Sequence, residues 1–195
     1  MGRTENVGVF KELLSLVNRE GMDKLIAFLD KSDFYTAPAS SRFHGSYEGG
    51  LLEHSLNVYN RLYGKKKHDQ FWCETLKDVS EESIIITALL HDICKTYYYS
   101  IEMRNKKVDG QWVQVPSYTV DDKIPYGHGE KSVMMIEEYI KLKPVERYAI
   151  RWHMGAYSGQ QDWQTLGSAM DKYPLVLALH EADMEATHVI EVEGK

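Results

Sequence analysis

Apolar residues along most of this chain recur at steps of three and four, the spacing that places them on one face of a helix. Val9, Leu13, Leu16 and Val17 do so between Val7 and Arg19, ahead of a stop at Gly21, and Leu25, Ile26 and Leu29 form a second short amphipathic piece. From Asp33 to Gly50 the chain carries Thr36, Pro38, Ser40, Ser41, Gly45, Ser46, Gly49 and Gly50, the make-up of a loop whose glycines let backbone approach closely. From about Leu51 to Tyr63, the residues Leu51, His54, Val58 and Leu62 share a helix face, which turns His54 inward. Ser80 is a fitting N-cap for a further helix, with Glu81 and Glu82 in its first turn, that runs to about Lys95.

After Thr96 the pattern changes to that of strands. Tyr97, Tyr98, Tyr99 and Ile101 precede a polar turn from Asn105 to Gln111 containing Asp109-Gly110, and Trp112, Val113, Val115, Tyr118 and Val120 follow, which predicts a β-hairpin. Helices resume from His128 to Ile140, from Pro144 to about His153 and from Pro174 to about Val189, both prolines suiting a first helical turn. The stretch from Gly155 to Gly167 reads as loop. The expected fold is therefore a single mostly α domain over residues 1–195, with packing helices in 5–31, a core in 45–190 and a small β-hairpin insertion at about 97–121.

Composition narrows the classes of function. With 195 residues, 43% hydrophobic and 27% charged, the chain can bury a sizeable core, which argues against a disordered or fibrous protein. A formal net charge of −6 disfavours gripping long nucleic acid, where many Lys and Arg must meet phosphates, but leaves a small anionic substrate held through a metal open. No apolar run of about 18 residues is present and the first residues lack the pattern of a secretion signal, so no membrane partner and a cytoplasmic location are expected. Cys73 and Cys94 make neither a disulfide framework nor a CxxC motif and read as reduced thiols. Oligomeric state leaves no trace in the sequence.

Against this background several polar residues stand where the pattern demands burial. His91-Asp92 ends the run Ile84–Leu90, His54 follows Leu51-Leu52, His128 opens an amphipathic stretch, His153 lies in Arg151-Trp152-His153, and Asp183 follows Leu175–Leu179. Burying a carboxylate beside an imidazole is costly unless a cation or strong hydrogen bonds compensate it. Imidazole and carboxylate together suit Zn, Mn, Fe and related divalent ions better than Mg or Ca.

From Gly45 to Ala186 the chain resembles the HD superfamily of metal-dependent phosphohydrolases, through Gly49-Gly50-Leu51-Leu52-Glu53-His54, Leu89-Leu90-His91-Asp92-Ile93-Cys94-Lys95 and Glu181-Ala182-Asp183. The resemblance implies that His54, His91, Asp92 and Asp183 ligate one divalent metal. It implies further that His128 and His153 serve a second one, with Asp92 bridging; a phosphate contact is the alternative for His128. Many relatives carry two consecutive histidines where this chain has Trp152-His153, a departure that bears on the second site.

The cofactor implied is one or two ions of Mn, Fe, Co, Ni or Zn. Lys95 would neutralise charge on phosphate, a solvated helix-end lysine being the competing account. Arg42, His44 and Tyr47, in the glycine-rich approach, are candidate substrate-binding residues beside an ordinary surface loop. Glu53 and Glu130 are placed to orient imidazoles, while His68, His180 and His188 read as structural or exposed. Hairpin aromatics including Trp112 suit either strand packing or stacking a base.

The implied activity is hydrolysis of a phosphomonoester or phosphoanhydride, most simply of a nucleotide, by a metal-activated hydroxide, with Asp92, Lys95 and His128 as the catalytic set. Two alternatives accompany it. One is a phosphodiesterase for short oligonucleotides or cyclic dinucleotides, since the pattern is also similar to the HD portion of bacterial 3′-to-5′ exoribonucleases that carry an OB-fold. The other is a non-catalytic nucleotide-binding regulatory module.

Overall fold

The segment Ser83–Leu90 is buried on every side, and the rest of the molecule is arranged around it. A computed structural model describes residues 2–192. The helices are α1 (Arg3–Ser15), α2 (Met22–Lys31), α3 (Gly50–His68), α4 (Gln70–Thr75), α5 (Glu81–Leu90), α6 (His128–Glu137), α7 (Pro144–Trp152), α8 (Trp163–Lys172) and α9 (Leu175–Glu185). The strands β1 (Tyr99–Val108) and β2 (Gln111–Val120) pair only with each other among the described residues. None of the described helices is long and apolar enough to cross a membrane.

A helix that is apolar all round has to be central. On one side of α5, Ile85, Ile86 and Leu89 meet Phe10 and Leu14 of α1, Leu25 and Leu29 of α2, and Leu51 and Leu52 of α3. On the other, Ile84 and Ala88 meet Val58 and Leu62 of α3, Ala149 of α7, and Leu175, Ala178, Leu179 and Ala182 of α9. Whatever follows Leu90 at the end of this helix therefore emerges inside the bundle rather than at its surface.

The expected mostly α architecture with a hairpin is thus present, with several corrections to its parts. Helix α5 stops at Leu90 instead of reaching Lys95: Asp92 leaves helical geometry at φ −106° and ψ 17°, and Ile93–Lys95 form a single 3₁₀ turn. The hairpin turn is confined to Asp109-Gly110, whose φ values of 48° and 85° are those of a type I′ turn, so Asn105–Lys107 belong to a strand. Toward its turn the hairpin is exposed on both faces, so its ladder tolerates polar residues on each. Helix α3 extends past Tyr63 to His68, and two helices had no counterpart in the sequence reading: α4, capped by the Asp69 carboxylate on the Trp72 N–H, and α8, which overlaps the expected loop. Beyond α9, Ala186–Ile190 widen into a π-helical turn.

Two glycines allow close approaches that shape the site. A Cβ on Gly50 would stand 2.0 Å from the Gly45 carbonyl oxygen, so the glycine-rich loop can fold directly onto the start of α3. One on Gly129 would stand 2.2 Å from the Arg151 carbonyl oxygen, so the first turn of α6 can press against the end of α7 and bring His128 beside His153.

Candidate metal centre

The end of α5 delivers His91 and Asp92 into a nest walled by α3, α7 and α9. All three helices contribute polar side chains to it: His54 from α3, His153 from just past α7 and Asp183 from α9, each buried. His91 Nδ1–H donates to the Ala88 carbonyl at 2.9 Å and His153 Nδ1–H to the Ile150 carbonyl at 2.7 Å. A carbonyl can only accept, so these bonds place the hydrogen on Nδ1 and leave the Nε2 lone pair pointing inward. The Nε2 atoms of His54, His91 and His153 are all buried without a hydrogen-bond partner.

Buried imidazole nitrogens left without partners are rare, and three of them converge on the Asp92 carboxylate. Asp92 Oδ2 is 3.4 Å from His91 Nε2 and 3.7 Å from His54 Nε2, while Oδ1 is 3.5 Å from His153 Nε2 and 2.7 Å from His128 Nε2. Asp183 Oδ1 stands 3.3 Å from His54 Nε2. These distances are too long for direct bonds in most cases and suit donors set around a small cation. The ligand atoms of His54, His91 and Asp183 lie within 4.8 Å of one another, as do those of His91, Asp92 and His153. The donors are imidazole nitrogen and carboxylate oxygen, so a divalent transition ion or Zn fits.

Electrostatics agree with this arrangement. Burial disfavours the charged forms of Asp92 and Asp183, but Lys95 and the imidazoles outweigh it for Asp92, and His54 does so for Asp183, holding both carboxyls well below the usual range. Burial also opposes protonation of His54, yet Asp183 and Glu191 raise it to about 9; His128 is likewise raised to about 9 by Cys94 and Asp92 against its burial. A cation entering the nest takes over the charge balance that these protons supply.

Lys95 is not solvated. Its Nζ lies 2.7 Å from Asp92 Oδ2 in a buried pair, reached across the 3₁₀ turn rather than along a continuous helix face, and its pKa is raised. His44 also reaches the site: its ring centroid is 4.9 Å from that of His54, and burial together with the His54 and Lys95 charges lowers its pKa to about 4.

Arg42 and Tyr47 sit exposed on the same loop. Glu53 is exposed, and Glu130 pairs with Arg151, so neither orients an imidazole. His180 supports the site from behind, Nδ1–H donating to the His153 carbonyl at 2.7 Å, whereas His68 is exposed. Of the hairpin aromatics, Tyr98 lies 6.4 Å from the His128 ring and Tyr99 bonds the Ala39 carbonyl, but Trp112 is out at the hairpin tip.

Sequence reasoning missed Glu191. Its two carboxylate oxygens are each 3.2 Å from His54 Nδ1, and Asn57 Nδ2–H donates to Oε1 at 2.9 Å. A carboxylate behind a ligating imidazole fixes its tautomer and orientation and raises its basicity. Glu191→Gln is expected to weaken divalent-metal affinity by roughly 10–100-fold, read by competition with a chromogenic chelator, without changing the circular dichroism spectrum.

A bundle that buries imidazoles and carboxylates from separate helices around one aspartate is a metal-binding helical domain. The HD domain family model matches residues 51–187, and the chain belongs to that family, within the superfamily of metal-dependent phosphohydrolases. A dihydroneopterin 2′,3′-cyclic phosphate phosphodiesterase of Methanocaldococcus jannaschii is 36% identical over 85 residues, covering 44% of this chain. Those residues span 31% of the relative's own length. No solved structure matches the chain.

Proposed function

We propose that this protein hydrolyses a phosphate ester or anhydride of a small phosphorylated substrate of nucleotide type. The observation that carries this reading is the division of the Asp92 carboxylate, with Oδ2 facing His54 and His91 and Oδ1 facing His128 and His153. On it, His54, His91, Asp92 and Asp183 hold one divalent ion, and Asp92, His153 and His128 hold a second. Bound ions of this kind supply Lewis acidity toward a phosphoryl oxygen and lower the pKa of coordinated water.

The chain's own residues prepare the rest. Lys95 keeps Asp92 ionised and contributes positive charge at the edge of the nest, where it opposes charge developing on phosphate. His128, a quarter exposed, and His44 stand at the rim, where a phosphate enters. Tyr98 and Tyr99 flank this entrance and offer faces for a base. The net charge of −6 favours a small substrate over a long strand.

Cleavage of a cyclic phosphodiester is the second reading, favoured by the activity in the archaeal relative's name. The test is phosphate-ester cleavage by protein loaded with Mn, Co, Fe or Zn, on nucleoside mono- and triphosphates, 2′,3′-cyclic nucleotides and a linear dinucleotide. Release of inorganic phosphate from the first group supports the first reading, and ring opening without phosphate release supports the second. Thermal stabilisation by nucleotide with no bond cleaved under any metal would make the domain a binding module instead.

A further inference from the structure

The thiol of Cys94 has no part in the ligand set described so far, yet it lies inside the nest. Cys94 is buried and sits on the 3₁₀ turn between Asp92 and Lys95, its backbone N–H held by the Ser132 hydroxyl of α6 at 3.3 Å. This tie points Sγ at the first turn of α6, where it lies 3.4 Å from His128 Nδ1 and 3.6 Å from Nε2. One donor atom each from Asp92, Cys94 and His128 fall within 4.8 Å of one another. An independent observation points to a ligand at the same place: His153 is fully buried and its unpartnered Nε2 faces Asp92 Oδ1, the very oxygen that His128 contacts.

We infer that Cys94 is a thiolate ligand of an ion held on the Oδ1 side of Asp92, together with His128 and His153. This rests on the metal-centre reading proposed above. Sulfur is a soft donor, so its inclusion biases this position toward thiophilic ions such as Zn, Co and Fe and away from Mn and Mg. Binding would expel the thiol proton to solvent, since the thiolate is the ligating form. Cys73, the other cysteine of the chain, lies on α4 and is only half-buried, away from this cluster.

The experiment is titration of the metal-depleted full chain with Co²⁺ under anaerobic conditions, read by absorption. A Co²⁺–thiolate bond gives an intense near-ultraviolet charge-transfer band, whereas imidazole and carboxylate ligands give only weaker visible bands. The band is expected in the parent chain, is expected to persist in Cys73→Ser and is expected to be lost in Cys94→Ser. Because the chain holds only these two cysteines, persistence in Cys73→Ser assigns the band to Cys94 even if Cys94→Ser does not fold. Visible bands without the near-ultraviolet band would overturn the thiolate ligand and leave the imidazole–carboxylate centre standing. Failure to bind Co²⁺ at all would overturn both.

Discussion

Asp92→Ala is expected to leave a protein that neither retains divalent metal through purification nor turns over substrate. The expectation follows from geometry, because this one carboxylate faces imidazoles on both sides. Losing the ion's charge stabilisation removes at least about 4 kcal/mol from the transition state, a fall of roughly 10³-fold in turnover. Asp92→Asn sharpens the point, since it keeps the shape and removes the charge that Lys95 Nζ meets at 2.7 Å. The buried ammonium then repels an incoming cation instead of being neutralised. His68→Ala, at the exposed end of α3, is the control and should change neither metal content nor rate. Metal analysis of protein purified without chelator, paired with the substrate panel, reads both; an active Asp92→Ala protein with metal still bound would refute the proposed centre.

Asp92 could be singled out in the sequence because its chemistry contradicts its neighbours. The run Ile84–Leu90 can only be a buried segment, so a His-Asp pair at its end had to be buried too, and the same logic turned His54 and Asp183 inward. Asp109-Gly110 marked the hairpin because a type I′ turn needs positive φ at both positions. What stayed hidden depends on tertiary contacts. Nothing in Ile93-Cys94-Lys95 opposes helix, so the break after Leu90 comes from docking the 3₁₀ turn on α6. The stretch from Gly155 to Gly167 reads as loop, although α8 begins within it at Trp163 and packs Leu166 and Ala169 against Trp152 and Val176. Glu191 lies 137 residues from the histidine it supports, in a polar stretch with no periodicity. Only the turn after α9 brings the two together.

Glu146 marks a second place where a buried carboxylate has a structural reason, and removing it is expected to cost the fold about 3 kcal/mol. Its side chain is fully buried at the start of α7, and each oxygen accepts two hydrogen bonds. Oε1 takes Arg19 Nη2–H and the Ser83 hydroxyl, both at 2.6 Å; Oε2 takes Arg19 Nη1–H and the Lys143 backbone N–H, both at 2.7 Å. One residue thereby joins the segment after α1, the first turn of α5 and the cap of α7. Glu146→Ala takes this acceptor from the Lys143 N–H, the Ser83 hydroxyl and the Arg19 guanidinium, which keeps only the Lys141 carbonyl and the more distant Glu82 carboxylate. Burial alone would push the Glu146 carboxyl up, but these donors outweigh it and hold it below its ordinary 4.5. A lowered folded-state pKa stabilises the fold fully above the unfolded value, and that contribution is lost as pH falls through the folded one. Urea midpoints of the parent and of Glu146→Gln should therefore differ most near pH 7 and converge as pH drops below 4.5 toward the folded-state pKa. A constant difference across that window would mean that packing, and not the ion pair with Arg19, accounts for the stability at this position.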